Sequence, residues 1–163
     1  MTRNKILNAI TITAISAILL AWAPSTAYAG LTSPTLDIKP GSCPNPVNLG
    51  SNGVIPVAIV GNENFDVNDI DLSSFPETWR PKIVDVATPF VGEFIDRDSC
   101  TEAGPDGLLD LTLKIPASSF LVLCVLDDKS IALIGTDFTL EDGTEFFVFD
   151  VVSILKKNNN HCG

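Results

Sequence analysis

Short apolar segments separated by turn residues follow one another along the chain from residue 36 onwards. In residues 109–115, leucine and isoleucine alternate with aspartate, threonine and lysine, which is the period of a half-buried strand. Residues 54–60 form a continuous apolar run of strand length, in which Pro56 predicts an edge position or a bulge. The same criteria predict further strands at residues 36–39, 83–86, 120–126, 130–136, 138–140 and 146–155.

The residues between these segments favour tight turns. Asp142-Gly143 is the strongest short hairpin signal in the chain, and residues 127–129 predict a second turn. No segment carries the sustained apolar stripe of a helix, although Asp66 predicts the cap of one short helical turn in residues 65–71. We therefore predict an all-β fold, an immunoglobulin-like β-sandwich of about seven or eight short strands, with a small β-barrel as the alternative.

The first 29 residues have the pattern of a secretory signal peptide. Arg3 and Lys5 precede an apolar run at residues 6–22, and Ala27-Tyr28-Ala29 is a small-residue cleavage site. The predicted organisation is a signal peptide at 1–29, a linker at 30–35, a β-sandwich domain at 36–156 and a polar tail at 157–163. We expect a secreted or periplasmic protein with no membrane anchor after signal cleavage.

The charge of the chain argues against nucleic acid as a partner. Twenty Asp and Glu side chains outnumber ten Lys and Arg, which gives a formal net charge of −10. A nucleic-acid binder needs a clustered basic face to displace counterions from phosphates. The aromatic content also limits sugar binding, because Trp79 is the single Trp and no Tyr remains once residues 1–29 are removed.

The four cysteines favour disulfides over metal or redox chemistry. They are Cys43, Cys100, Cys124 and Cys162, and no C-x-x-C pair occurs among them. Disulfides persist in the oxidising compartments that exported proteins reach. Four cysteines allow three connectivities; we favour Cys43 with Cys100 and Cys124 with Cys162.

An acidic segment at residues 96–110 is the candidate for chemistry. It leads directly into the alternating strand, and the Asp106-Gly107 step combines a carboxylate with a residue that tolerates positive φ. Its end has the spacing of a D-x-[DN]-x-D-G-x-x-D calcium loop, with Glu102 in place of the first Asp and Gly104 in place of a side-chain ligand. The predicted calcium ligands are Asp96, Asp98, Glu102, Asp106 and Asp110; the alternative is a solvated acidic loop.

Several motifs occur in order along the chain: D-I-K-P-G-S-C-P-N-P-V-N at residues 37–48, G-V-I-P-V-A-I at 53–59, and G-P-D-G-L-L-D-L at 104–111. In these the chain resembles a domain family of secreted bacterial and archaeal proteins with the hallmark D-I-K-P-G-S-x-P-N-x-[VIL]-N. The resemblance implies an extracellular module, found beside adhesive or calcium-binding modules, to which no enzymatic activity is assigned. It also implies an ancestral cation loop at residues 102–111.

Catalytic motifs are missing from the sequence. His161 is the sole histidine and lies in a polar tail, and neither a nucleophile elbow nor a phosphate-binding loop occurs. We therefore predict no catalytic residues and no enzyme, but an exported structural or adhesive module stabilised by calcium. Its expected partners are extracellular or cell-surface proteins or polysaccharide. The alternatives are a carbohydrate-binding module that uses Trp79 and the acidic loop and, further off, a small metal-dependent hydrolase that uses Asp96, Asp98, Asp106 and Asp110.

Overall fold

Eight strands account for the regular structure of the computed structural model, which describes residues 33–48, 50–94, 96–126 and 131–155. The predicted signal segment and the polar tail lie outside these residues. The strands are β1 (Thr35–Ile38), β2 (Pro46–Val47), β3 (Val54–Val60), β4 (Lys82–Val84), β5 (Asp110–Pro116), β6 (Leu121–Leu126), β7 (Ile131–Thr139) and β8 (Glu145–Ile154).

The strands form two four-stranded sheets. Sheet A has the order β1-β3-β5-β4 and is antiparallel throughout. Sheet B has the order β2-β8-β7-β6, in which the short β2 runs parallel to β8 and the other pairs are antiparallel. The predicted all-β sandwich is therefore confirmed, and the closed barrel given as its alternative is not formed.

The core lies between the two sheets and follows the alternation of the strands. Leu111, Leu113 and Ile115 of β5 are buried in it, whereas Thr112 and Lys114 face the other side of sheet A. Each such buried leucine or isoleucine contributes roughly 1.5–3 kcal/mol by removal from water. The period predicted for residues 109–115 is thus the period of a strand with one face in the core.

Two strands differ from their sequence-based description. Residues 130–136 and 138–140 were expected as separate strands, but β7 continues through Asp137, whose side chain is exposed on the outer face of sheet B. A polar residue at an outward position does not interrupt a ladder. The edge position predicted from Pro56 is wrong, because β3 lies between β1 and β5. Its pairing with β1 ends at Val57, so the missing amide of Pro56 faces a stretch where β1 has already ended.

The predicted cap at Asp66 and the predicted turn at Asp142-Gly143 are confirmed, whereas the turn predicted at residues 127–129 lies outside the described residues. Asp66 accepts a hydrogen bond from the amide of Asn68 at 2.9 Å and caps the first of three short 3₁₀ turns between β3 and β4. Gly143 has a φ of 86° in the hairpin between β7 and β8, where glycine takes up the left-handed conformation without strain.

Candidate functional site

A long connection between β4 and β5 covers one half of the outer face of sheet A. We call this connection the strap and define it as residues 85–94 and 96–109. Ala87 of the strap packs on Ala58 and Val60, two side chains of β3 that face away from the sandwich core. The strap therefore creates a second, smaller apolar contact outside the main core.

Asp110 fastens the start of the strap to the sheet. One carboxylate oxygen accepts the amides of Val86 at 2.7 Å and Ala87 at 2.9 Å, and the other accepts the amide of Gly61 at 3.1 Å. Burial raises the pKa of Asp110, and these three hydrogen bonds act in the opposite direction. Backbone amides thus occupy both oxygens of this carboxylate, which ties the start of the strap to the sheet.

The strap carboxylates predicted as calcium ligands bind neighbours within the strap instead. Asp106 accepts the amide of Leu108 at 2.9 Å, and Asp96 accepts the amide of Asp98 at 3.0 Å. Asp98 also lies 3.4 Å from Arg97 in an exposed ion pair. Across the residues described, no three His, Cys, Asp or Glu side chains form a group that could hold a metal ion. The five predicted ligands, the exposed Glu102 among them, are thus not brought together, and calcium binding stays a prediction.

A disulfide fixes the far part of the strap. Cys100 of the strap is bonded to Cys43 in the segment that follows β1, across a sequence separation of 57 residues. This pairing was predicted and is confirmed. Cys162 lies outside the described residues, so its pairing with Cys124 stays a prediction. The Cys43–Cys100 bond indicates that the chain folds in an oxidising compartment.

The open edge between the two sheets is sealed by Asp150, at a core-facing position of β8. One of its oxygens accepts the amide of Ile38 in β1 at 2.8 Å and the side-chain amide of Asn45 at 3.0 Å. Its other oxygen accepts the amide of Val151 at 2.7 Å. The outermost strand of sheet A is thereby joined to sheet B through one side chain rather than through strand pairing.

Asp37 is buried beside this junction. Asp37 and Asp150 line a small cavity of about 10 Å³ together with Phe90 and Cys100 of the strap, a volume near the smallest that holds one water molecule. One oxygen of Asp37 has no hydrogen-bond partner among the described residues. Burial raises the pKa of Asp37 to about 6, and the charge of Asp110 adds to this. Burial also raises the pKa of Asp150 to about 7. The charge of Asp37 raises this pKa further, whereas the hydrogen bonds to Asp150 lower it.

The half of sheet A that the strap leaves uncovered forms an open groove of about 500 Å³. Lys114 of β5 and Lys82 of β4 line it, and Arg80 stands at its rim. Its apolar surface comes from Pro40, Pro56 and Val86. We call this the basic groove.

The aromatic residues give little support to a sugar platform. Trp79 is only partly exposed and packs against the core, with its ring 6.0 Å from that of Phe75. A second depression of about 530 Å³ is lined by Asn62, Asp66 and other polar side chains, but Phe65 at its base is buried in the core. Neither place presents a free aromatic face on which a sugar ring could stack.

Sequence reasoning missed Asp37, Asp150 and the basic groove. The signal for Asp150 was present: it stands between Val148 and Val152 at the inward positions of a strand, where an unpaired carboxylate is costly. No comparable signal marks the groove, because Arg80, Lys82 and Lys114 come together only when β4 pairs with β5.

No helix in the described part of the chain is long and apolar enough to cross a membrane. Comparison with family models, curated proteins and solved structures finds no match to this chain.

Proposed function

We propose that the protein is a non-catalytic exported module with a structural or adhesive role at the cell exterior. The proposal rests on the hydrogen bonds of two buried carboxylates, Asp110 and Asp150. The Asp110 carboxylate joins Gly61 to the start of the strap, and one oxygen of Asp150 joins β8 to Ile38 and Asn45. Together with the Cys43–Cys100 bond, they hold separate segments of the sandwich together, which supports a structural role.

The metal-dependent hydrolase draws no support from this geometry. It requires Asp96, Asp98, Asp106 and Asp110 around one ion, and Asp110 is occupied by three backbone amides. The carbohydrate-binding alternative depends on Trp79, which packs on Phe75. An immunoglobulin-like connectivity and export by the segment 1–29 remain parts of the proposal.

Retention at a cell surface tests the adhesive role. Fluorescently labelled protein spanning residues 30–163 is expected to bind cells of the source organism saturably, and unlabelled protein should compete with it in flow cytometry. The same protein after reduction and alkylation serves as the matched control and should bind less, because the Cys43–Cys100 bond fixes the strap. Binding that neither saturates nor depends on the fold would contradict an adhesive role.

The predicted calcium loop has its own test. Extracellular modules often bind calcium with a Kd of about 0.1–1 mM, so a few millimolar calcium is expected to raise Tm by about 2–5 °C. Magnesium should raise it less, because magnesium demands a tighter octahedron of ligands.

The variant for this test is Glu102→Gln with Asp106→Asn, which leaves the Asp110 hydrogen bonds in place. We expect it to lose the calcium effect. If calcium and magnesium stabilise the wild type equally, and the variant responds as the wild type does, the ions act only by screening the negative charge of the chain and the loop holds no calcium.

A further inference from the structure

We propose that the basic groove binds an acidic peptide segment of another exported protein, with carboxylates on its cations and aliphatic side chains on its prolines and valine. This inference rests on the proposed adhesive role, since it names the partner that the module would hold. The groove lies on the half of sheet A that the strap leaves open.

The distribution of charge points to an anionic partner. The described residues contain five of the ten Lys and Arg side chains, namely Lys39, Arg80, Lys82, Arg97 and Lys114. Three of those five line the basic groove, and no Asp or Glu of the described residues lines it. In a chain with a net charge of −10, this groove is a local reversal of sign that attracts carboxylates.

The three cations are available to a ligand. The one ion pair of the described residues joins Arg97 to Asp98 on the strap, so Arg80, Lys82 and Lys114 have no carboxylate of their own there. All three side chains are exposed at the rim of a concave surface. A concave site brings several unpaired cations around one ligand carboxylate, and the focused field strengthens their attraction for it.

The backbone at Arg80 adds an independent observation. Arg80 has a φ of 54°, in the left-handed region, at the end of the 3₁₀ turn Glu77–Trp79. Glycine occupies this region without strain, whereas a residue with a Cβ does not. Strained backbone of this kind clusters at binding sites, although Lys39, which does not line the groove, shares it with a φ of 62°.

The neutral surface of the groove favours a peptide over a polysaccharide. It consists of Pro40, Pro56 and Val86, which are aliphatic, and no aromatic ring is present on which a sugar could stack. Thr112 is the one hydroxyl in the groove, and it already donates to the carbonyl of Lys82 at 2.8 Å. Sugar hydroxyls would therefore have few hydrogen-bond partners in the groove. A peptide with acidic and aliphatic side chains would contact both the cations and the aliphatic residues.

Fluorescence anisotropy with a short labelled peptide of alternating glutamate and valine tests the proposal at low ionic strength. We expect the wild type to bind it and the variant Lys82→Gln with Lys114→Gln to bind about tenfold more weakly, which corresponds to about 1.4 kcal/mol. Arg97→Gln is the matched control, because Arg97 is an exposed cation outside the groove, and it should bind as the wild type does. Arg80→Gly removes the third cation while keeping the left-handed backbone, so it should weaken binding without lowering Tm.

Two further probes test whether the groove requires carboxylates and whether it prefers a peptide to a polysaccharide. A peptide of alternating serine and valine should not bind, since it lacks the carboxylates, and an oligogalacturonate should bind more weakly than the acidic peptide. Equal binding by the wild type and the double lysine variant would overturn the site, and tighter binding of the oligogalacturonate would overturn the peptide as its ligand. If peptide binding fails while cell-surface retention persists, the groove proposal alone falls; if retention fails while the peptide binds, the adhesive role alone falls.

Discussion

Replacing Cys43 and Cys100 together by serine is expected to lower the stability of the protein more than any other change considered above. The disulfide closes a loop with a sequence separation of 57 residues, and restricting the unfolded chain to such a loop is worth about 4 kcal/mol. For a domain of this size the loss lowers Tm by roughly 10–20 °C. Differential scanning calorimetry of the variant and the wild type measures it directly.

The strap gives this experiment a second readout. With the disulfide absent, Asp110 still fastens the start of the strap, but nothing covalent holds its far part to the segment after β1. Limited proteolysis should therefore cut the variant first within the strap, while the sheets stay intact. Wild-type protein without reductant is the control and should resist cleavage within the strap. An unchanged Tm would show that the bond constrains neither state.

Asp37→Asn is expected to stabilise the protein at pH 8 and to leave it nearly unchanged at pH 4. In the folded protein the pKa of Asp37 is raised from 3.8 to about 6, so the native state holds this proton more tightly than the unfolded chain does. The stabilisation that results is complete below about pH 4 and is lost as the pH rises through the folded value of about 6. Asparagine removes the buried charge, and at pH 8 this should raise the free energy of unfolding by about 2–3 kcal/mol.

Asp150 extends the same dependence to higher pH. Its pKa is raised to about 7, and the charge of Asp37 contributes to that shift. The wild type should therefore lose stability between about pH 4 and pH 7, and Asp37→Asn should flatten the curve. Asp137→Asn is the matched control, because Asp137 is an exposed carboxylate on the outer face of sheet B. A parallel loss of stability in the wild type and in Asp37→Asn would contradict a role for the buried charge.

The strands and turns were accessible from sequence because they depend on local periodicity. The alternation of residues 109–115 and the Asp142-Gly143 turn each specify their structure within a few residues. The strand β2 was not accessible, since it has two residues and exists only through its parallel pairing with β8.

The functional assignments of the acidic residues were less accessible for a physical reason. A carboxylate in a loop has the same sequence signature whether it binds a cation or accepts backbone amides. Asp110 was predicted as a calcium ligand, and only its tertiary position beside Gly61, Val86 and Ala87 shows the second role. Among the long-range contacts, the Cys43–Cys100 bond could be predicted. An exported chain is expected to form disulfides, and four cysteines allow only three sets of pairings.

The hydrogen bond from Ile38 to Asp150 also bears on aggregation. An outer strand with free amides is a template on which another chain can add a strand, and long arrays of such additions form fibres. In sheet A the amide of Ile38 on β1 is already occupied by a side chain of the opposite sheet, which disfavours strand addition there. The other outer strand, β4, is three residues long and carries Lys82, whose charge opposes the stacking of identical strands. Both outer strands of sheet A therefore resist the addition of a further strand, so sheet A is protected from polymerisation on both sides.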